Sequence, residues 1–148
     1  MWGASERTLP TLHRNQAARH HQQKRPTSRP SIPAKVRAAL AVRSEGMCEI
    51  AEHGCTGTAV DPSHRISTGM GGRKGEAAAR HHVLSNLLHA CRHCHSEHVH
   101  AQPAVAYWNG WMLHEHEDPT AVPVLYRGRR VLLTDHGTTI PFTPEEIP

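Results

Sequence analysis

CEIAEHGC, residues 48–55, and CRHCH, residues 91–95, are the two stretches that decide the fold of this chain. Six residues separate Cys48 from Cys55, and two separate Cys91 from Cys94. A two-residue gap lets both thiolates turn onto one metal ion. All four cysteines therefore fit one closed Zn²⁺ site, which would be structural because no position is left for water. Buried free cysteines are the alternative interpretation.

Large apolar side chains are scarce, since the 148 residues include three Trp, two Tyr and one Phe. A core with so few large side chains favours stabilisation of the fold by a bound metal ion. No stretch approaches the roughly 20 apolar residues of a membrane span. The N-terminus also lacks the apolar run of a secretory signal. We therefore expect a cytoplasmic protein with no membrane partner, in a reducing compartment where the cysteines bind zinc rather than form disulfides.

Basic charge is concentrated at the start of the chain. The formal net charge is +4, and residues 1–30 alone contain six Arg or Lys against one Glu. Residues 1–33 are polar and proline-rich, so they are predicted to form a disordered basic arm with a polyanionic partner. A short amphipathic helix should follow, with Ser31 as a possible cap, Pro33 in its first turn and its end near Gly46.

Residues 34–112 are predicted to form the central domain, and residues 113–148 a C-terminal extension. The central domain should contain a strand within residues 58–66, a glycine-rich loop at 69–75 and a helix that begins near Cys94. In the extension, Val124–Tyr126 is predicted to pair with Val131–Leu133 as a β-hairpin. The fold class expected from these elements is α+β.

The residues around the two cysteine pairs occur in a specific order: His64, the Gly71-Gly72 loop, Asn86-Leu87 and the CRHCH stretch. In this order the sequence resembles the HNH endonuclease family of ββα-metal nucleases, especially its bacteriophage and actinobacterial branch. The resemblance covers roughly residues 35 to 135. It implies a small ββα-metal domain stapled by a structural zinc, with a preceding helix and a C-terminal hairpin.

Phosphodiester hydrolysis needs a general base for water and a divalent cation for the scissile phosphate. The resemblance gives the first role to His64, whose unperturbed pKa of about 6.5 suits a base at cellular pH. It makes His95 a metal ligand, and it makes Asn86 either the residue that orients the base-bearing loop or a second contact to the metal. His100 or His98 would supply a further ligand, although many relatives carry that histidine four residues after the first, where this chain has Val99.

The position before the base departs from the family. It usually holds an Asp or His that binds the catalytic metal, and here it is Ser63. Asp61 could compensate, because residues two apart on a strand point to the same face. The predicted ligands of a catalytic divalent ion such as Mg²⁺ or Mn²⁺ are therefore His95, Asp61 and His100. Without such compensation, activity would be low or absent.

The resemblance also implies a double-stranded DNA partner, and phage packaging proteins are a possible second partner. Basic residues beside the metal should meet phosphates, and the candidates are Arg65, Arg73, Lys74 and Arg92. The leading hypothesis is an endonuclease that nicks or cuts DNA. Two alternatives stay open: a non-catalytic zinc-stapled DNA-binding or assembly module, and a purely structural zinc domain.

Overall fold

The structure, a computed structural model, describes residues 31–69 and 75–144. Most of the predicted arm, together with Arg73 and Lys74 of the glycine loop, lies outside the described residues. The helical segments are α1 (Ala34–Ser44), α2 (Glu76–His81), a 3₁₀ turn (Leu84–Asn86), a π-helix (Cys94–His100) and α3 (Pro103–Trp108). The strands are β1 (Asp61–His64), β2 (Leu87–Ala90), β3 (Val124–Tyr126), β4 (Arg129–Leu133) and β5 (Thr139–Pro141).

Helix α1 follows Pro33, which is the residue at its N-cap position. No side chain caps this end, so the expectation that Ser31 caps the helix is wrong. A proline with its fixed φ is well suited to the entrance of a helix. The helix ends at Ser44, close to the predicted position, and is followed by Glu45 and Gly46, which both have positive φ angles. Leu40 is buried and turns the helix towards the rest of the fold.

Two antiparallel strands form the centre of the fold. Strand β1 pairs with β2 so that Asp61 lies opposite Ala90 and His64 lies opposite Leu87. Strand β2 is the apolar member, since Leu87, Leu88 and Ala90 are fully buried. The chain then passes through Cys91 into the π-helix. The order is therefore strand, strand, helix, with the more polar β1 paired edge to edge with the apolar β2.

The C-terminal segment adds a three-stranded antiparallel sheet in the order β3-β4-β5. The predicted hairpin is observed, with Val124 opposite Val131 and Tyr126 opposite Arg129. Strand β5, which pairs with β4, was not predicted from the sequence. Val124, Val131 and Leu133 share one apolar cluster with the cysteines and β2. The C-terminal segment therefore packs into the same apolar core as β2 and the cysteines.

Trp111 is the largest side chain in this core, and it is 1% exposed. Its indole Nε1 donates a hydrogen bond of 2.8 Å to the carbonyl of Leu125, which satisfies the one polar atom of a buried ring. A second, smaller apolar cluster joins α1 to the 3₁₀ turn through Leu40, Leu84 and Leu87. Among the described helices, none combines the length and the apolar character that crossing a bilayer requires.

A buried ion pair joins α1 to the first cysteine segment. Arg43 donates to both carboxylate oxygens of Glu49, at 2.8 and 2.6 Å, and Glu49 is fully buried. Glu49 also accepts hydrogen bonds from the backbone N–H of His89 and the hydroxyl of Tyr126. Buried charges persist only when they are paired and hydrogen-bonded in this way. Glu49 thus links α1, β2 and β3 at one point.

Gly110 is required by a close approach between α3 and the chain entering β3. Its φ is +71°, and a Cβ at this position would overlap the carbonyl oxygen of Pro123. Gly128 has a similar φ of +77°, but a Cβ there would meet no atom within 4 Å. A substitution at Gly110 would therefore meet both backbone strain and steric overlap, whereas one at Gly128 would meet backbone strain alone.

We expect Gly110→Ala to lower the free energy of unfolding by roughly 3 kcal/mol or more, because overlap adds to the cost of positive φ. Gly128→Ala, the matched control, should cost about 1 kcal/mol from positive φ alone. Urea denaturation of both variants measures the difference. Equal losses would contradict the close approach.

Candidate functional site

The four cysteines lie together where the CEIAEHGC segment meets the end of β2. Their sulfur atoms are all within 4.8 Å of one another, and none is part of a disulfide. The Sγ atoms of Cys55 and Cys91 are 3.8 Å apart. Zinc–sulfur bonds of 2.3 Å in a tetrahedron place neighbouring sulfurs about 3.8 Å apart. The predicted grouping is confirmed, and the cluster could hold a structural metal ion such as zinc.

Backbone N–H groups point at the sulfurs of this cluster. The amides of Cys91, Cys94 and Gly57 donate to the sulfurs of Cys48, Cys91 and Cys55 at 3.2, 3.4 and 3.3 Å. Burial would raise the pKa of Cys91, but hydrogen bonds from Cys94 and Thr56 outweigh it and lower that pKa to about 6. Cys91 therefore favours the thiolate, which is the form that binds a metal, whereas burial and the neighbouring thiols raise the pKa values of Cys55 and Cys94.

His64 ends β1 and is half-buried. Burial is the main cause that lowers its pKa to about 4, and the neighbouring histidines His82, His81 and His95 add to the effect. Its Nε2 lies 3.1 Å from Nδ1 of His82. At neutral pH the imidazole is therefore uncharged and able to accept a proton.

Asn86 holds the chain on both sides of the candidate site. Its side-chain oxygen accepts a hydrogen bond of 2.8 Å from the backbone N–H of Ile66, and its amide nitrogen donates to the carbonyl of His81 at 3.0 Å. The side chain is 1% exposed. This geometry fits the predicted orienting role and not the alternative contact to a metal. Asn86 fixes the chain just after His64 and just before His82.

The π-helix decides which histidine stands beside His95. In an α-helix, residues five apart diverge by about 140° around the axis. A π-helix instead stacks residues five apart on successive turns, as the 2.9 Å hydrogen bond from Ala101 N–H to the Ser96 carbonyl shows. The Nε2 atoms of His95 and His100 are consequently 3.0 Å apart. His98, the other candidate, faces away and contacts the carbonyl of His53 at 2.7 Å.

Asp61 also lies beside His95, but on the opposite edge of the ring from His100. Its Oδ2 lies 3.5 Å from Nδ1 of His95, whereas His100 faces Nε2. The expectation that Asp61, His95 and His100 all bind one ion is therefore not met by this arrangement. Within residues 31–69 and 75–144, the four cysteines are the one group of three or more His, Cys, Asp or Glu side chains close enough to share an ion.

Ser63 and Arg65 flank His64, and both are buried. Ser63 is 2% exposed. The expectation that Arg65 contacts DNA is wrong, because the side chain is fully buried. Its guanidinium donates to backbone carbonyls, which are those of Ser85, Gly110, Pro119 and Val122. Arg65 thus joins β1 to α3 and to the segment before β3.

Arg92 is the predicted DNA contact that the structure leaves accessible. Its side chain is 79% exposed, and its Nη2 lies 3.4 Å from Oδ1 of Asp61. It stands between Cys91 and the π-helix, close to the His95 edge of the site. Among the described candidates, Arg92 alone can reach a bound polyanion beside the histidines.

His82 is a partner of His64 that the sequence did not single out. It is 8% exposed, and its Nε2 has no hydrogen-bond partner among the residues that the structure describes. The adjacent pair His81-His82 in a chain with 15 histidines gave no distinguishing signal. Only the fold brings α2 back against the end of β1.

Comparisons of the chain with protein-family models, with curated proteins and with solved structures found no match.

Removing one sulfur should release the metal. We expect Cys94→Ser to lower bound zinc from about one ion per chain to near zero and to unfold the protein, because metal affinity at such sites is coupled to folding. The matched control is His93→Ala, which changes the neighbouring residue and leaves all four sulfurs. Metal analysis of purified protein and thermal unfolding are the measurements. Wild-type protein that binds no zinc would contradict the interpretation.

The lowered pKa of His64 predicts how stability depends on pH. The unfolded state takes up a proton near pH 6.5, whereas the folded state resists until about pH 4. The contribution of His64 is therefore complete above pH 6.5 and is lost as pH falls towards 4. We expect the wild-type protein to lose more stability across this window than His64→Gln does. Parallel unfolding curves at each pH test this, and identical losses would count against a lowered pKa.

Proposed function

We propose that this protein is a metal-dependent HNH endonuclease that hydrolyses phosphodiester bonds of double-stranded DNA, with His64 as its general base. The main support for this proposal is that four of the predicted site residues lie in one structural unit. His64, Asn86 and the His95–His100 pair all belong to one unit, made of two antiparallel strands and the helix that follows them. Their order along the chain and their meeting in one unit support a shared site.

His64 would take the proton from the attacking water. An imidazole with a lowered pKa is neutral at cellular pH, so its lone pair is free to accept. Because Nε2 faces Nδ1 of His82, the nitrogen that accepts must be Nδ1. This requires the tautomer with hydrogen on Nε2, which then donates to His82. Asn86 keeps the ring in place by tying down Ile66, two residues later.

The His95–His100 pair is our candidate for binding the catalytic ion. Two ligands at right angles and about 2.1 Å from an ion lie about 3.0 Å apart, which is the separation of the two Nε2 atoms. Asp61 would act on the other edge of His95, where a carboxylate orients a ligating imidazole. A divalent ion held there would stabilise negative charge on the scissile phosphate and the leaving oxygen. Two imidazoles favour ions such as Mn²⁺, Ni²⁺ or Zn²⁺ over Mg²⁺.

A second candidate function is a non-catalytic, zinc-stapled DNA-binding module. The burial of Ser63 favours it, because this position then offers no ligand from β1 to the ion. Asp61 compensates only through His95, so the ion would have two imidazole ligands and no direct carboxylate among the predicted set. The two functions differ in whether DNA is cut and agree that DNA is bound.

The deciding experiment is cleavage of supercoiled plasmid by the full chain with Mg²⁺, Mn²⁺, Ni²⁺ or Zn²⁺ in turn. We expect nicking that needs a divalent ion and falls at least about a hundredfold in His64→Ala, since general base catalysis contributes about 10²–10⁴ in rate. His100→Ala should also lose activity. The matched control is His98→Ala, two positions earlier on the same helix, which should retain it.

Equal activity of His98→Ala and His100→Ala would argue against the histidine pair as the ion site. Retained DNA binding with no cleavage under any ion would leave the second candidate function. Bound zinc should be measured in each variant, because loss of the cysteine-bound ion would abolish activity for a different reason.

A further inference from the structure

A groove on the C-terminal sheet carries arginines that no described carboxylate neutralises. It has a volume of about 510 Å³ and is lined by the β3–β4 turn and by residues of β4 and β5. Three of its seven lining residues are Arg127, Arg129 and Arg130, and none is acidic. The groove shares no residue with the candidate nuclease site.

Two of these guanidinium groups are held in place by neutral acceptors. Arg127 donates to the carbonyls of Ser44, Met47 and Cys48. Arg130 donates to the carbonyl of Trp108 at 3.1 and 3.2 Å and lies 3.4 Å from Oδ1 of Asn109. Carbonyl and amide oxygens orient a guanidinium but do not cancel its unit charge. Both positive charges are therefore fixed before any ligand arrives.

Arg129 is the third arginine that lines the groove. It is exposed and lies opposite Tyr126 in the register of β3 and β4. Within the described residues, none of the three arginines forms an ion pair with a carboxylate. Glu49, which accepts a hydrogen bond from Tyr126 of the lining, is fully buried and paired with Arg43. Among the residues that the structure describes, no carboxylate therefore offsets the charge of the three arginines.

The geometry points to this groove as a second DNA-binding surface, which contacts the phosphate backbone of the duplex outside the cleavage site. The proposal rests on the proposed function for the choice of duplex DNA as the polyanion. Planar guanidinium groups match phosphate oxygens and can donate two hydrogen bonds to one phosphate. Phosphate contacts of this kind fix the position of a protein on DNA without reading sequence.

Arg129 gives the cleanest test, because its side chain forms no hydrogen bond or ion pair with another residue of the described ranges 31–69 and 75–144. Binding of the full chain to a 30-base-pair duplex is measured by fluorescence anisotropy over a range of salt concentrations, without added divalent ions. His64→Ala is the background, so that no DNA is cut. We expect Arg129→Ala to weaken binding severalfold and to reduce the slope of log K against log salt by about 0.9, the value for one lost phosphate contact.

Arg129→Glu should weaken binding further, and Arg129→Lys should retain most of it. The control is Arg80→Ala, which removes one arginine outside the groove, 78% exposed on α2 and 3.7 Å from the carboxylate of Glu76. Affinity and slope in Arg129→Ala equal to those in Arg80→Ala would overturn the proposal. So would dependence on Arg129 for single-stranded RNA but not for duplex DNA.

The groove and the nuclease can fail separately. DNA binding that depends on Arg129 without any plasmid cleavage supports the groove and rejects the nuclease. Cleavage that depends on His64, with binding indifferent to Arg129→Glu, rejects the groove and supports the nuclease. Absence of DNA binding by the wild-type chain even at low salt rejects the groove outright.

Discussion

The meeting of four sulfur atoms at the end of β2 is the constraint on which the rest of the structure depends. Cys48 lies just beyond the exit of α1, Cys91 directly follows β2, and Cys94 begins the π-helix. One metal ion there would tie three separate parts of the chain together. Structural zinc sites contribute about 10–16 kcal/mol in peptides at neutral pH, which matches the entire stability of a typical domain. A chain with six aromatic residues gains most from such a staple.

Buried charged side chains also connect separate segments of the chain. Arg43 and Glu49 link α1 to β2 and β3, and Arg65 links β1 to the segment before β3. Each is satisfied by several partners, which is what keeps a buried charge from destabilising the fold. These contacts also specify geometry, because a guanidinium with four carbonyl partners tolerates little displacement. As a consequence, loss of one partner would leave an unpaired charge in the interior.

Patterns of identity and spacing allowed the local features to be predicted from sequence. The cysteine grouping, the entry into the helix at Cys94 and the β3–β4 hairpin follow from turn signals and ligand spacing, and the structure has all three. The burial of Arg65 was missed, because a basic residue beside a candidate active site looks the same in sequence whether it meets phosphate or carbonyls. The partnership of His64 with His82 depends on how α2 returns to β1, which no local pattern encodes.

The π-helix shows why spacing alone could not choose between His98 and His100. Under α-helical geometry His98 lies nearer to His95 on the helix surface, and His100 lies off to one side. The wider turn of the π-helix instead places His100 beside His95 and leaves Val99 buried in the core. Cys94 anchors the first residue of that same helix in the sulfur cluster, so His95 leaves the cluster in a fixed direction towards Asp61 and His100. The sulfur cluster and the His95–His100 pair therefore share one short helix, so loss of the cluster would displace the pair.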